Sequence, residues 1–241
     1  MPALGISVTR RFILCAAVLL VVVAMPLAIA LDADRPVTLG ATLVVYLVAT
    51  AITFWGLGRF YPHDRLGTAN VVTLTRLALI APLMVPMIVP SMMSVSSPYA
   101  WGVLALATFS LSLDGVDGMF ARREKLVSGF GARFDVEVDA LFALMLSIIA
   151  LQLDKAGPMV LVLGLTRYVF VAASLVWPFL AAPLPERFSR KVICVIQIGT
   201  LIALLAPLVT PPLSWTLATA ASALMLFSFG RDIVWLHRNR P

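Results

Sequence analysis

Charge is what this chain has least of. Only 12% of its 241 residues are Asp, Glu, Lys or Arg, where a soluble domain carries about 25%. With 61% hydrophobic residues, an ordinary water-soluble globule is excluded. Cysteine is nearly missing too. Cys15 and Cys194 both fall inside apolar runs, so no disulfide framework is implied, and both read as small buried hydrophobes. His63 and His237 are expected in loops far along the chain from its acids, which leaves no zinc-type ligand set. The formal charge of +6 comes from scattered basic residues. There is no basic stripe with interleaved aromatics, and nucleic-acid binding is excluded on that ground. Low-complexity segments and internal repeats are absent as well.

What the chain does have is long apolar runs. A bilayer core about 30 Å thick takes about 20 apolar residues per helix. Eight such runs are expected, near residues 12–31, 38–58, 70–90, 99–121, 132–152, 157–177, 190–209 and 212–235. Pro and Gly punctuate their short connections, as at Pro36, Pro62, Pro98, Gly157, Pro183 and Pro211. The expectation is one all-α polytopic membrane protein. Residues 1–69 supply two leading helices and a linker, 70–235 a six-helix core, and 236–241 a basic tail. Loop charge sets the orientation. With the N-terminus inside, fourteen Lys and Arg residues face the cytoplasm, and only Arg35 and Lys155 face out. Both termini and the acidic stretch described next are then cytoplasmic, in an inner membrane. The opening "TRRFIL", followed by an apolar run and "AIA", also resembles a cleavable leader. The run exceeds the roughly 7–15 residues of a signal core and is read as a retained anchor.

Against this apolar background, Asp114, Asp117, Asp135, Glu137 and Asp139 crowd into "DGVDGMFARREKLVSGFGARFDVEVDA". A carboxylate at mid-bilayer costs about 2.5–3.5 kcal/mol on insertion scales, so the cluster needs a reason. At 100° per residue, Asp114, Asp117, Gly118, Ala121 and Arg122 share an arc of about 140°, with Val116, Met119 and Phe120 opposite. On the following helix Asp135, Asp139, Gly131 and Ala132 share a second narrow arc. Arg133 and Glu137 point away together as an i,i+4 pair of opposite charge. Two acidic stripes can therefore face each other across a short loop.

Four converging carboxylates repel strongly in a low dielectric. Oxygen ligands of this kind suit hard divalent cations such as Mg²⁺, Mn²⁺ or Ca²⁺. The alternative pairs some of the aspartates with Arg76, Arg122 or Arg167. Gly118, Ala121 and Gly131 serve either close helix packing or a slot for a flat ligand, and Arg122 at its mouth favours a phosphate.

These residues resemble the signature of the CDP-alcohol phosphotransferase family, D-x-x-D-G-x-x-A-R-x8-G-x3-D-x3-D. Asp114, Asp117, Gly118, Ala121, Arg122, Gly131, Asp135 and Asp139 match all eight fixed positions at its spacing. The opening "NVVTLTR", with Asn70, Thr73 and Arg76, is similar to a looser family pattern. The resemblance covers about 70–235 and leaves out the first two helices. It implies that Asp114, Asp117 and Asp135 hold a pair of Mg²⁺ or Mn²⁺ ions, with Asp139 contributing and acting as the base. It implies a CDP pocket lined by Gly118, Ala121, Arg122 and Gly131, joined by Asn70, Thr73 and Arg76.

The activity so implied moves a phosphatidyl group from CDP-diacylglycerol to the hydroxyl of a small polar alcohol and releases CMP. A homodimer in the lipid bilayer is implied in the same way. Many phosphatidylglycerophosphate synthases read D-P-x-x-D-K around the last two acids, where this chain has Val136 and Ala140. Arg167 within a span, with Arg133, Arg190 and Lys191 at loops, suits a phosphorylated acceptor, glycerol 3-phosphate first. Other acceptors are an inositol phosphate, serine, choline or ethanolamine, and phosphatidylglycerol. A divalent-cation transporter also uses intramembrane acids, but near the midplane on broken helices. A membrane scaffold is the third reading.

Overall fold

The structure is a computed structural model describing residues 6–32, 35–94, 97–185 and 187–239; the side chains of Val116 and Asp117 lie outside the description. Among the described residues the fold is all-α, without strands. A first helical run joins α1 (Ile6–Leu19) to α2 (Met25–Leu31) through a π-helical turn, and α3 (Pro36–Phe60) follows. Then come α4 (Thr68–Ile80), α5 (Met84–Ile88), α6 (Pro98–Ser112), α7 (Asp114–Glu124) and α8 (Gly129–Gln152). The last three helices are α9 (Leu161–Val176), α10 (Phe188–Leu205) and α11 (Leu213–Arg238).

Helical runs occupy all eight expected places, and six of them are long and apolar enough to cross a membrane. The other two are the runs that carry the acids. The expected fourth span is broken at Leu113, leaving α6 with 15 residues and α7 as a separate 11-residue helix. α8 is long enough, at 24 residues, but Asp135, Glu137 and Asp139 lower its apolarity. The chain is an integral, polytopic membrane protein whose least apolar helices hold its acidic signature.

Two compact units divide the chain: Met1–Ser91 with Gly102–Asp139, and Met92–Trp101 with Ala140–Pro241. In the first, the run Thr68–Ile88 is the most buried, 67% of its most apolar stretch being enclosed. Pro82 and Pro86 lack a backbone N–H, and the run tightens to a 3-10 turn at Ala81–Leu83. Leu74, Leu77, Ala78 and Ile80 of α4 are buried. The Tyr46 hydroxyl on α3 donates to the Ala16 carbonyl at 2.9 Å, and Phe12 packs on Phe54 with centroids 5.8 Å apart.

In the second unit, Gly164 marks a close helix crossing. A Cβ there would lie 2.8 Å from the Leu144 Cα, so only glycine fits. Gln197 donates to the Leu163 carbonyl, and the Ser222 hydroxyl to the Met159 carbonyl at 3.1 Å. Lys155 Nζ donates to the carbonyls of Ala206 at 3.2 Å and Pro207 at 3.3 Å, at the end of α10, where unsatisfied C=O groups favour a cation. Burial pushes the Lys155 amine below its ordinary value.

Two smaller expectations are corrected. Cys15 is half-buried and Cys194 exposed, because a membrane helix can keep an apolar side chain without enclosing it in protein. His237 lies in the last turn of α11, not in a loop.

Candidate metal and substrate site

The break at Leu113 decides how the first acidic stripe is presented. The Leu113 N–H bonds back to the Ser110 carbonyl at 3.3 Å, and the Ser112 hydroxyl to that of Phe109 at 2.7 Å. A new helix then begins at Asp114. Asp114, Gly118, Ala121 and Arg122 therefore share one regular helix, as do Gly131, Asp135 and Asp139 on α8. The side chain of Asp117, the fourth expected metal ligand, lies outside the described residues.

Asp114, Asp135 and Asp139 converge. One carboxylate oxygen from each lies within 4.8 Å of the others. Arg76 on α4 meets all three. Its Nη1 is 2.8 Å from Asp114 Oδ1 and 2.6 Å from Asp135 Oδ1, and its Nη2 bonds Asp139 Oδ1. The guanidinium is 1% exposed, whereas each carboxylate is about a third exposed, at 33%, 32% and 34%. The arginine thus forms the floor, and the acids open outward above it.

The alternative pairing with Arg76 is therefore realised, but it does not balance the charge. Counted by themselves, these four side chains, three carboxylates and one guanidinium, carry a formal charge of −2. Partial burial makes such an excess costly, and a divalent cation is equal to it in size and opposite in sign. The donor set is hard oxygen, as Mg²⁺ and Mn²⁺ require. Asp114, Asp135 and Asp139 each offer one oxygen to such an ion, and these oxygens lie close enough together to be shared.

Around the acids lie the residues expected to line a CDP pocket. Asn70 and Thr73 are buried on α4, about two turns and one turn before Arg76. The Thr73 hydroxyl donates to the Ala69 carbonyl at 3.1 Å, and Asn70 Nδ2 to the Tyr61 hydroxyl at 3.5 Å. Gly131 makes room for Asn70: a Cβ there would stand 3.2 Å from Asn70 Oδ1. Gly118 likewise admits the Arg122 guanidinium, whose Nη1 would be 3.3 Å from a Cβ. Ala121 is half-buried on the same helix. The small residues here leave space for polar side chains.

The residues suggested for an acceptor are distributed differently. Arg133 and Glu137 are exposed on the far side of α8 from its acidic stripe. In the second unit Arg167 is half-buried on α9 and Lys191 exposed on α10. Arg190 Nε donates to Asp232 Oδ2 at 3.0 Å, and Arg187 Nη1 lies 3.9 Å from Asp232 Oδ1.

Sequence reasoning missed three residues. Asp232 is buried on α11 at 5% exposure; an acid in an apolar run ending "FGRDIVW" is the signal that could have found it. Glu124 closes α7 and accepts from both the Thr68 N–H, at 2.9 Å, and the Thr68 hydroxyl. Those bonds, the hydroxyl's first, hold the Glu124 carboxyl below its ordinary value. The Tyr61 hydroxyl donates to the Arg65 carbonyl at 2.8 Å and accepts from the Gly67 N–H at 3.2 Å. Burial pushes that phenol up.

Comparison with curated proteins gives no match, and comparison with solved structures gives none either. The family model of the CDP-alcohol phosphatidyltransferases matches residues 66–228, which include α4 with Arg76 and the acids of α7 and α8. The chain belongs to the CDP-alcohol phosphatidyltransferase family.

Proposed function

We propose that this protein transfers a phosphatidyl group from CDP-diacylglycerol to the hydroxyl of a small polar alcohol and releases CMP. The observation that carries this reading is the convergence of Asp114, Asp135 and Asp139 over the buried Arg76, within a chain of this family. Asp114, Asp117, Asp135 and Asp139 would hold Mg²⁺ or Mn²⁺, two ions per site. Such ions supply charge neutralisation at the donor's pyrophosphate.

The chain's own residues do the rest. Asp139 takes the proton of the acceptor hydroxyl. That oxygen bonds to the β-phosphorus of the CDP-lipid, the bond from this phosphorus to the bridging oxygen breaks, and CMP leaves with that oxygen. A general base of this kind contributes about 10²–10⁴-fold. Gly118, Ala121, Arg122, Gly131, Asn70 and Thr73 line the CDP pocket, with Arg76 beneath.

The acceptor proposed is glycerol 3-phosphate, with Arg167, Arg190 and Lys191 as candidates for its phosphate; Arg133 faces away from the acids on α8. The excess of Lys and Arg over acid in loops supports a cytoplasmic site and cytoplasmic termini in an inner membrane. Residues 70–235 form the catalytic core in this reading, residues 1–69 are appended to it, and the working form is a homodimer.

The test is to incubate purified protein with CDP-diacylglycerol, Mg²⁺ or Mn²⁺, and a panel of alcohols while measuring CMP. Metal-dependent CMP release with glycerol 3-phosphate supports the whole reading. Release with an inositol phosphate, serine, choline, ethanolamine or phosphatidylglycerol instead replaces the acceptor alone. No release with any alcohol overturns the enzyme assignment.

A further inference from the structure

α4 and α7 carry opposite halves of the site, and they run antiparallel. Arg76 lies eight residues into α4 from Thr68, and Asp114 lies ten residues before Glu124 on α7. At 1.5 Å per residue those segments are about 12 and 15 Å long. The two helices are joined at both ends. At one end Arg76 Nη1 meets Asp114 at 2.8 Å. At the other, Glu124 accepts from the Thr68 N–H at 2.9 Å and from the Thr68 hydroxyl.

The second junction is built for contact between chain segments 56 residues apart. α4 starts after Gly67, which has no side chain to cap the helix. Its exposed N–H groups would ordinarily take a Ser, Thr, Asp or Asn at that position. Here the cap comes from Glu124 instead. A Cβ on Gly67 would stand 3.0 Å from Leu126 Cδ1 and 3.3 Å from Glu124 Oε2, so the absence of that carbon lets the end of α7 approach.

Glu124 is itself fixed to α7. Lys125 follows it in the left-handed region at φ 55°, and the Leu126 N–H returns to the Ala121 carbonyl at 3.0 Å, a helix-ending turn that sets the direction of the carboxylate.

The two junctions differ in what a cation does to them. At the first, Arg76 and a divalent ion compete for the same carboxylates. The second touches no proposed metal ligand, so it keeps its partners whichever of the two holds the acids. We infer that Glu124 is a positioning residue. By capping α4 from the end of α7, it holds Asp114 and its neighbours in register with α8 when a divalent cation draws those acids away from Arg76. This rests on the metal-dependent reading of the site proposed above.

The experiment compares wild type with Glu124→Ala, Glu124→Gln and Thr68→Val. Mn²⁺ affinity is read by electron paramagnetic resonance of the purified protein, and kcat and KM by CMP release. A lost cap corresponds to a factor of roughly five to twenty. Glu124→Ala is expected to weaken Mn²⁺ binding by that factor and to lower kcat more than it raises KM for the CDP-lipid. Glu124→Gln, which keeps an oxygen for the Thr68 N–H, should restore most of both. Thr68→Val should give a smaller loss of the same kind, and it serves as the probe should Glu124→Ala not fold.

Wild-type Mn²⁺ affinity in Glu124→Ala overturns the inference, as does Glu124→Gln being as impaired as the alanine variant. If wild type binds Mn²⁺ but releases no CMP, the enzyme reading fails while the Mn²⁺ comparison still judges Glu124.

Discussion

The two compact units solve one electrostatic problem with opposite signs. In the first, a single buried arginine, Arg76, gathers three aspartates. In the second, a single buried aspartate, Asp232, gathers Arg187 and Arg190. In both, the central ion is the buried member and its partners are the more exposed ones. Counting only the ion pairs named, the first cluster has three carboxylates to one guanidinium and the second two guanidinium groups to one carboxylate. A fully matched buried pair would have no reason to attract a ligand. An under-compensated one stays folded because its central ion is shared, and it presents the surplus outward. The difference lies in the sign each cluster gathers at its more exposed rim, carboxylates around Arg76 and guanidinium groups around Asp232.

The comparison can be broken most sharply at Asp139. Asp139→Asn removes the proposed base but leaves an oxygen for Arg76. CMP release should fall by at least about 10²-fold while Mn²⁺ binding persists; wild-type turnover would take the proton-transfer role away from this residue.

Next in size is Arg76→Met, which leaves three carboxylates without their shared cation. Breaking a buried pair in this way costs about 3–5 kcal/mol. The melting temperature in detergent with a chelator should drop accordingly, and Mg²⁺ should recover part of it, more than Mg²⁺ adds to wild type.

The mirror-image change, Asp232→Asn, keeps the shape and removes one charge. It should cost about 1–3 kcal/mol, with no Mg²⁺ recovery. A metal-dependent recovery there would contradict the assignment of cations to the first cluster.

The smallest effect concerns Glu124. Its carboxyl is held below the ordinary value by Thr68, so its contribution to stability is present above that ordinary value and is lost as pH falls through the depressed one. Thermal unfolding measured down the acid range should show a steeper decline for wild type than for Glu124→Gln.

Much of the site was legible in the sequence because helical periodicity is a local property. Once Asp114 and Asp135 stand on helices, 100° per residue puts Asp139 beside Asp135 and Arg122 beside Gly118. The eight apolar runs were legible for the same reason. What the sequence left open was which distant helices meet; Arg76 was one of three arginines that could pair with the acids, and Asp232 and Glu124 carried no sign of their partners. Arg76 reaches the acids only because α4 packs on α7 and α8, 59 and 63 residues away for Asp135 and Asp139. Asp232 and Glu124 gain their partners across 42 and 56 residues. The break at Leu113 was hidden because neither Gly nor Pro marks it; Ser112 turns to its own backbone there, a competition that serine enters without any periodic sign.

One consequence follows from the order of the charges along the chain. Arg76 precedes Asp114, Asp135 and Asp139, just as Arg187 and Arg190 precede Asp232. During synthesis the guanidinium groups reach the lipid first, while a cation on a long side chain can still stretch toward the headgroups. In both clusters the cation is thus made before the acid it meets, so a chain cut short after α4 would carry Arg76 with none of these three carboxylates to meet it.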